Sequence, residues 1–176
     1  MVDKAEKIEV GILMGSDSDW PKIKGVAAAL DEFGIGYEVH VASAHRTPEK
    51  VLQYASTARG RGLGVIIAAA GGAAHLAGVV ASHTTLPVIG IPVETAVMGG
   101  MDSLLSTVQM PGDIPVAAVG LGSGGARNAG ILAAQILATG NPALVEKLEK
   151  FREKLREKIE KKDTALNEQL RAQANS

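Results

Sequence analysis

"GVIIAAAGGAAHLAGVVA" (residues 64–81) decides how the chain folds. Its first seven residues are apolar without alternation, and two glycines end the run. Such a run reads as a strand covered on both faces, the pattern of a parallel sheet. With Leu63 the stretch reaches 19 residues without a formal charge, long enough to cross a bilayer. Gly71, Gly72 and His75 lie in its middle and alanine supplies much of the rest, which argues against a membrane helix. The stretch reads as a strand over 64–70, a glycine turn, and a short packed helix near 74–83.

The same unit repeats on either side. "IEVGILM" (8–14) is an apolar run that stops at "GSDSDW". A helix is expected from about Trp20 to Phe33, with Ser18 or Asp19 as its cap, Pro21 in its first turn and Gly34 past its end. "YEVHVA" (37–42) alternates as a strand does, and "RTPEK" then opens a helix with Thr47 at the cap and Pro48 at its first position. "LPVIGIPV" (86–93) is a fourth strand whose prolines suggest an edge or an irregular end. A connection over 94–112 holds a helical turn in "DSLLSTVQ", and "IPVAAVGLG" (114–122) is a fifth strand closed by the helix "GGARNAGILAAQILA". Repeated strand–helix units of this kind predict a three-layer, doubly wound parallel sheet of the flavodoxin type.

The charge pattern changes near Asn141-Pro142. Fourteen of the eighteen residues from Glu146 to Asp163 are charged, against 23 in the other 158. Leu144, Leu148, Phe151, Leu155 and Ile159 recur within it at three- and four-residue steps, which makes one long amphipathic helix. A stripe this narrow suits packing on its own domain or on another subunit. The chain therefore divides into a catalytic domain over 1–140 and a helical extension over 141–176, expected between subunits.

Composition narrows the function. The 176 residues suit one domain with a sizeable core, built of Ala, Val, Ile and Leu because only 3% are aromatic. A net charge of −1 offers no general attraction to nucleic acid or an anionic membrane. The absence of cysteine excludes disulfides, thiolate nucleophiles and thiolate–zinc sites, and fits a reducing cytosol. "MVDKAEKIEV" lacks the apolar core of a signal peptide. No histidine pair has metal-ligand spacing with carboxylates nearby, so no metal is expected.

In doubly wound sheets ligands sit beyond the carboxyl ends of the strands, which singles out three loops. "GSDSDW" offers Gly15, the hydroxyls of Ser16 and Ser18, and the carboxylates of Asp17 and Asp19 beside a helix N-terminus that attracts anions. Asp19 can accept both hydrogen bonds of a ribose diol, although serine and aspartate are also ordinary caps. The loop has neither a P-loop ending nor Rossmann glycine spacing. "SAHRTP" holds Ser43, His45 and Arg46. Arg46 can grip a phosphate with a fork of donors, and a histidine, ordinarily titrating near 6.5, can give and take a proton at neutrality. A plain surface pair is the alternative. "AAAGGAAHLAG" supplies Gly71 and Gly72, on whose backbone a flat ring can lie, and His75 in the next helix's first turn. Tight helix–sheet packing would also use those glycines. His40 and His83 have no such context and read as structural.

Taken together, "GSDSDW", "SAHRTP", "AGGAAHLAG", "LPVIGIPV", "DSLLSTVQMP" and "GGARNAGILAAQIL", in this order, resemble the PurE family, in particular its class I N5-carboxyaminoimidazole ribonucleotide mutases. The resemblance spans roughly residues 8–140. It implies reversible conversion of N5-carboxyaminoimidazole ribonucleotide to 4-carboxyaminoimidazole ribonucleotide in purine biosynthesis, with no cofactor, metal, ATP or biotin. It also implies a cytoplasmic homo-octamer with sites shared between subunits. His45 would be the proton-transfer residue. Ser16, Asp19 and Arg46 would bind the nucleotide with help from Ser18 and Ser43, and Gly71, Gly72 and His75 would line the ring and carboxylate pocket.

The implied chemistry suits these residues. Carboxyl transfer from nitrogen to carbon through released CO2 calls for a small, dry, closed pocket, and glycine and alanine backbone can wall one. A class II-like carboxylase using free CO2, or a nucleotide-binding module without catalysis, would use the same fold. Arg46, Pro48 and His75 point to class I, since the class II relative is expected to carry a lysine after the loop histidine. Two departures from the family pattern are Ala77, where a proline is expected, and Ser123 in "GLGSGG", where a lysine is usual.

Overall fold

The computed structural model describes residues 7–174. Its strands are β1 (Ile8–Met14), β2 (Gly36–Val41), β3 (Val65–Gly71), β4 (Val88–Val93) and β5 (Ala117–Ala118). Its helices are α1 (Trp20–Ile23), α2 (Gly25–Phe33), α3 (Pro48–Ala58), α4 (Leu76–Ala81), α5 (Met101–Val108), α6 (Gly122–Ala138) and α7 (Pro142–Ala174). The strands form one parallel sheet in the order β2-β1-β3-β4-β5. This is the flavodoxin-like order, with a long C-terminal helix appended.

The unbroken apolar runs are explained by cover on both faces. In β1 and β3, Val10, Ile12, Met14, Val65, Ile67 and Ala69 join the layer that packs with α2, α6 and α7. Their neighbours Leu13, Ile66 and Ala68 join the opposite layer, under α3 and α4. The stretch 63–81 is thus strand, turn and helix, and no helix among the described residues is long and apolar enough to cross a membrane.

Several local expectations are corrected. Asp19 does sit at the N-cap of the helix that starts at Trp20 but makes no side-chain cap bond. A 3-10 turn, Asp17–Asp19, comes before it, capped by Ser16, whose side chain accepts from the Ser18 N–H. The 20–33 span is divided at Lys24 into α1 and α2. Thr47 sits at the N-cap of α3 but makes no cap bond; its hydroxyl donates to Ser43 O and accepts from Ser43 N–H, closing the loop instead. β4 is not an edge strand. Pro92 is tolerated because β5 pairs only with Ile89 and Gly90, so no β5 residue stands opposite it. "DSLLSTVQ" gives a full helix, α5, and the fifth strand shrinks to two residues.

The helix α7 does two things along its length. Leu144 and Phe151 are buried, and the Phe151 ring meets Phe33 edge to face at 5.4 Å. Beyond Phe151 every described residue of α7 is exposed, including Leu155, Ile159, Leu166 and Leu170. The first part therefore packs on its own domain, and the rest extends past it.

Candidate active site

Because β2, β1 and β3 are neighbours, the loops that follow them meet at one sheet edge. They enclose three sides of a cleft of about 470 Å³. Gly15, Ser16 and Asp19 line it from the first loop, Ser43, His45 and Arg46 from the second, and Gly71 and Ala73 from the third. Ser18, Gly72 and His75 stand outside this lining. Ser18 reaches the cleft only through Ser16, their hydroxyls 2.8 Å apart. His75 reaches it through His45, whose Nε2 lies 2.9 Å from His75 Nδ1.

Arg46 ties two loops together. One Nη donates to Gly15 O at 2.7 Å, and its Nε approaches Ser43 Oγ at 3.4 Å. A guanidinium has five N–H donors, so three remain for a ligand. Burial pushes the Asp19 carboxyl above the usual carboxylate range, opposed by a backbone hydrogen bond from Ser16 and by the Lys22 and Arg46 cations. Asp19 thus faces the cleft next to two positive charges, an arrangement suited to a polar, anionic ligand.

The fourth wall comes from residues the sequence did not single out. Lys22, Glu94 and Thr95 line the cleft, and Lys22 Nζ donates to Glu94 O at 2.7 Å. Ser103 and Ser106 also escaped notice, although they hold the third loop from behind. Gly72 N–H donates to Ser103 Oγ at 2.9 Å and Ala74 N–H to Ser106 Oγ at 3.0 Å. Two hydroxyls three residues apart in "DSLLSTVQ" were the available signal, and serines so spaced share one helix face.

His40 and His83 stand apart from the cleft. His40 meets Tyr54 edge to face at 5.4 Å, and His83 Nδ1 lies 2.8 Å from Val79 O. Ala77 is buried in α4, which forms without the expected proline, and Ser123 lies in the first turn of α6. Within one chain the cleft is not closed: His45 and Arg46 are both exposed. Four loops at a sheet edge give a floor and sides but no roof.

Fold and cleft together define a flavodoxin-like α/β protein with a polar cleft at the carboxyl ends of its strands, where such folds take their ligands. The chain belongs to the AIR carboxylase family, whose profile matches residues 9–158. A relative from Synechocystis, named N5-carboxyaminoimidazole ribonucleotide mutase, is 55% identical over 157 residues, covering 89% of this chain and 88% of its own. One of the same name from Mycobacterium tuberculosis is 53% identical over 166 residues, 94% of each chain. The crystal structure of Treponema denticola PurE superposes with a TM-score of 0.81 at 30% identity, over 89% of this chain and 97% of that one.

Proposed function

We propose that this protein interconverts N5-carboxyaminoimidazole ribonucleotide and 4-carboxyaminoimidazole ribonucleotide, with His45 moving the proton. The observation that carries the reading is the set of relatives bearing that mutase name at more than 50% identity over nearly the whole chain. The cleft supports it with an imidazole, a carboxylate and a guanidinium on one rim and glycine and alanine backbone on the other.

In this reading Arg46 and the Ser16 and Ser43 hydroxyls take the phosphate, Ser18 assists by holding the Ser16 hydroxyl, and Asp19 takes the ribose diol. The imidazole ring lies on the backbone of Gly71–Ala73. As the N–C bond breaks, CO2 leaves and a protonated His45 delivers its proton to the exocyclic nitrogen. The electron-rich ring carbon then attacks CO2, forming the new C–C bond. Neutral His45 removes the proton from that tetrahedral carbon, which restores both the aromatic ring and the protonated imidazole. Proton transfer of this kind contributes about 10²–10⁴ in rate. The reverse reaction retraces these steps in the opposite order, and no nucleophile or external electron acceptor is consumed.

The open roof favours a site completed by a second copy, since escaping CO2 would stop the reaction. We assign the protein to a cytoplasmic homo-octamer in which residues 1–140 form the catalytic domain. The exposed stripe Leu155–Leu170 of the 141–176 extension meets another subunit.

The test is incubation with each carboxylated nucleotide separately, without ATP or bicarbonate. Direct exchange between the two supports the mutase. Turnover only when CO2 is added would mark a carboxylase, and binding without turnover a passive module.

A further inference from the structure

We propose that Ser103 and Ser106 of α5 are positioning residues that hold the 71–75 turn so that His75 meets His45. The inference rests on the proposed function for its kinetic consequences, but its geometry stands alone.

The turn between β3 and α4 is satisfied only in part by its own backbone, where Ala74 N–H donates to Gly72 O at 2.8 Å as well as to Ser106, and His75 N–H donates to Ala73 O at 2.9 Å. The sheet ends at Gly71 and α4 begins at Leu76, so the amides between them lie outside both regular patterns. Gly72 adopts φ +69°, a left-handed conformation that glycine accepts without strain. Its N–H donates to Ser103 Oγ at 2.9 Å, and that hydroxyl donates in turn to Val93 O at 2.7 Å. Ser103 therefore links the turn to the end of β4, and it is fully buried there.

Ser106 repeats the device one step nearer the histidine. Its oxygen accepts from Ala74 N–H at 3.0 Å, and Gly72 O lies 2.9 Å away as an acceptor for its proton. Asp102 O, at 2.7 Å, offers that proton an alternative within the helix. Ala74 immediately precedes His75, the N-cap residue of α4, whose Nδ1 lies 2.9 Å from His45 Nε2. A shift of the Ala74 amide therefore moves the His75 ring against its partner. Serines inside helices commonly bond only to their own backbone, which costs helix stability and makes no tertiary link. Here both hydroxyls reach across to a different element, and they reach consecutive parts of one turn.

Thr107 supplies the control. It is buried on the same helix, and its hydroxyl donates to Ser103 O at 2.7 Å without touching the turn. A purely structural role for the α5 hydroxyls would make Thr107 and Ser106 equivalent.

The experiment compares Ser106→Ala, Ser106→Thr and Thr107→Val in the full-length protein. Two readouts are used, steady-state kinetics and the ¹⁵N signals that report which ring nitrogens of His45 and His75 carry protons. Ser106→Ala should lower kcat about ten- to a hundred-fold with KM little changed, the scale expected for a misplacement near 1 Å. It should also alter the tautomer pattern of both rings. Ser106→Thr should restore both, and Thr107→Val should lower Tm without either effect. Where Ser106→Ala folds poorly, Ser106→Cys keeps the volume with a weak acceptor and should give the same loss.

Wild-type kcat and ring signals in Ser106→Ala or Ser106→Cys would overturn the proposal. So would Thr107→Val reproducing both changes. The ring signals need no substrate. A wild type that fails to interconvert the nucleotides, yet whose ring signals respond to Ser106→Ala, would sink the assigned reaction and leave the positioning role standing.

Discussion

Nε2 of His45 and Nδ1 of His75 lie 2.9 Å apart, with the two rings edge to face at 89°. A hydrogen bond between two ring nitrogens needs one donor and one acceptor, so the pair holds a single proton between them. The contact fixes the plane of the His45 ring and leaves its Nδ1 without a protein partner among the described residues. His75 is therefore a partner of His45, the residue proposed to transfer the proton, rather than a wall of the cleft.

Replacing His45 by Asn should abolish interconversion, while circular dichroism and Tm stay close to wild type because the ring is exposed. His75→Gln should lower kcat by a smaller factor, because it removes the ring's partner and leaves the ring. Steady-state assays of both variants check the order. Near-native turnover in His45→Asn would remove this residue from the role.

Arg46→Ala should weaken nucleotide binding by about ten- to a hundred-fold, the equivalent of one charge-assisted hydrogen bond of roughly 1.5–3 kcal/mol. The side chain also bonds to Gly15 O and approaches Ser43 Oγ, so some of the loss would reflect loosened loops. Arg46→Lys separates the two contributions, since it keeps charge but not the fork. Calorimetric titration with the nucleotide reads both, and unchanged affinity in Arg46→Ala would contradict the phosphate assignment.

Asp19 gives a pH prediction with a definite sign. Burial first, opposed by Ser16, Lys22 and Arg46, leaves its folded pKa raised. The folded protein then binds this proton more tightly than the unfolded chain does. Its carboxylate opposes folding at neutral pH, and that opposition fades as pH falls through the raised value towards the ordinary one near 3.9. Asp19→Asn should therefore raise Tm slightly at pH 7 and remove this part of the pH dependence. It should also cost ribose affinity. Thermal melts across pH 4–7 check the first outcome; a lower Tm at pH 7 would contradict it.

Gly130 is where α6 crosses α2. A Cβ there would lie 2.7 Å from Val26 O and 2.7 Å from Ala29 Cβ. Backbone on one side cannot yield cheaply, so Gly130→Ala should destabilise by about 1–3 kcal/mol despite alanine's better helix propensity. Denaturant melts measure it.

The extension should separate into two parts on truncation. Ending the chain after Thr139 strips Leu144 and Phe151 from the core beside Phe33, and losses of this kind cost about 2–5 kcal/mol each. Ending it after Lys154 removes only exposed residues and should leave Tm nearly unchanged. Light scattering on the second variant then tests the assembly role of the stripe. A mass that merely scales with the shortened chain would dismiss it.

Much of this could be read in advance because it is local. Apolar runs such as Val65–Ala70 declare burial on two faces, and Pro48 and Gly34 punctuate helices by backbone geometry alone. The three loops at the strand ends were legible for the same reason, since each lies between a strand and a helix. The β5 strand is shorter than its sequence suggests because six apolar residues over 114–122 do not reveal that only Ala117 and Ala118 pair with β4.

The chain's order of residues, by itself, determined the alternation of strands and helices and put serine, aspartate, histidine and arginine in the loops between them. Only the tertiary structure decided which of those loops share a cleft, that His75 meets His45 across 30 positions, and that Ser103 and Ser106 turn outward to a neighbouring loop. The reason is physical. Period and capping are set within a few residues, whereas distances between remote side chains follow from strand order and packing, and a serine that bonds its own helix is spelled the same as one that holds up its neighbour.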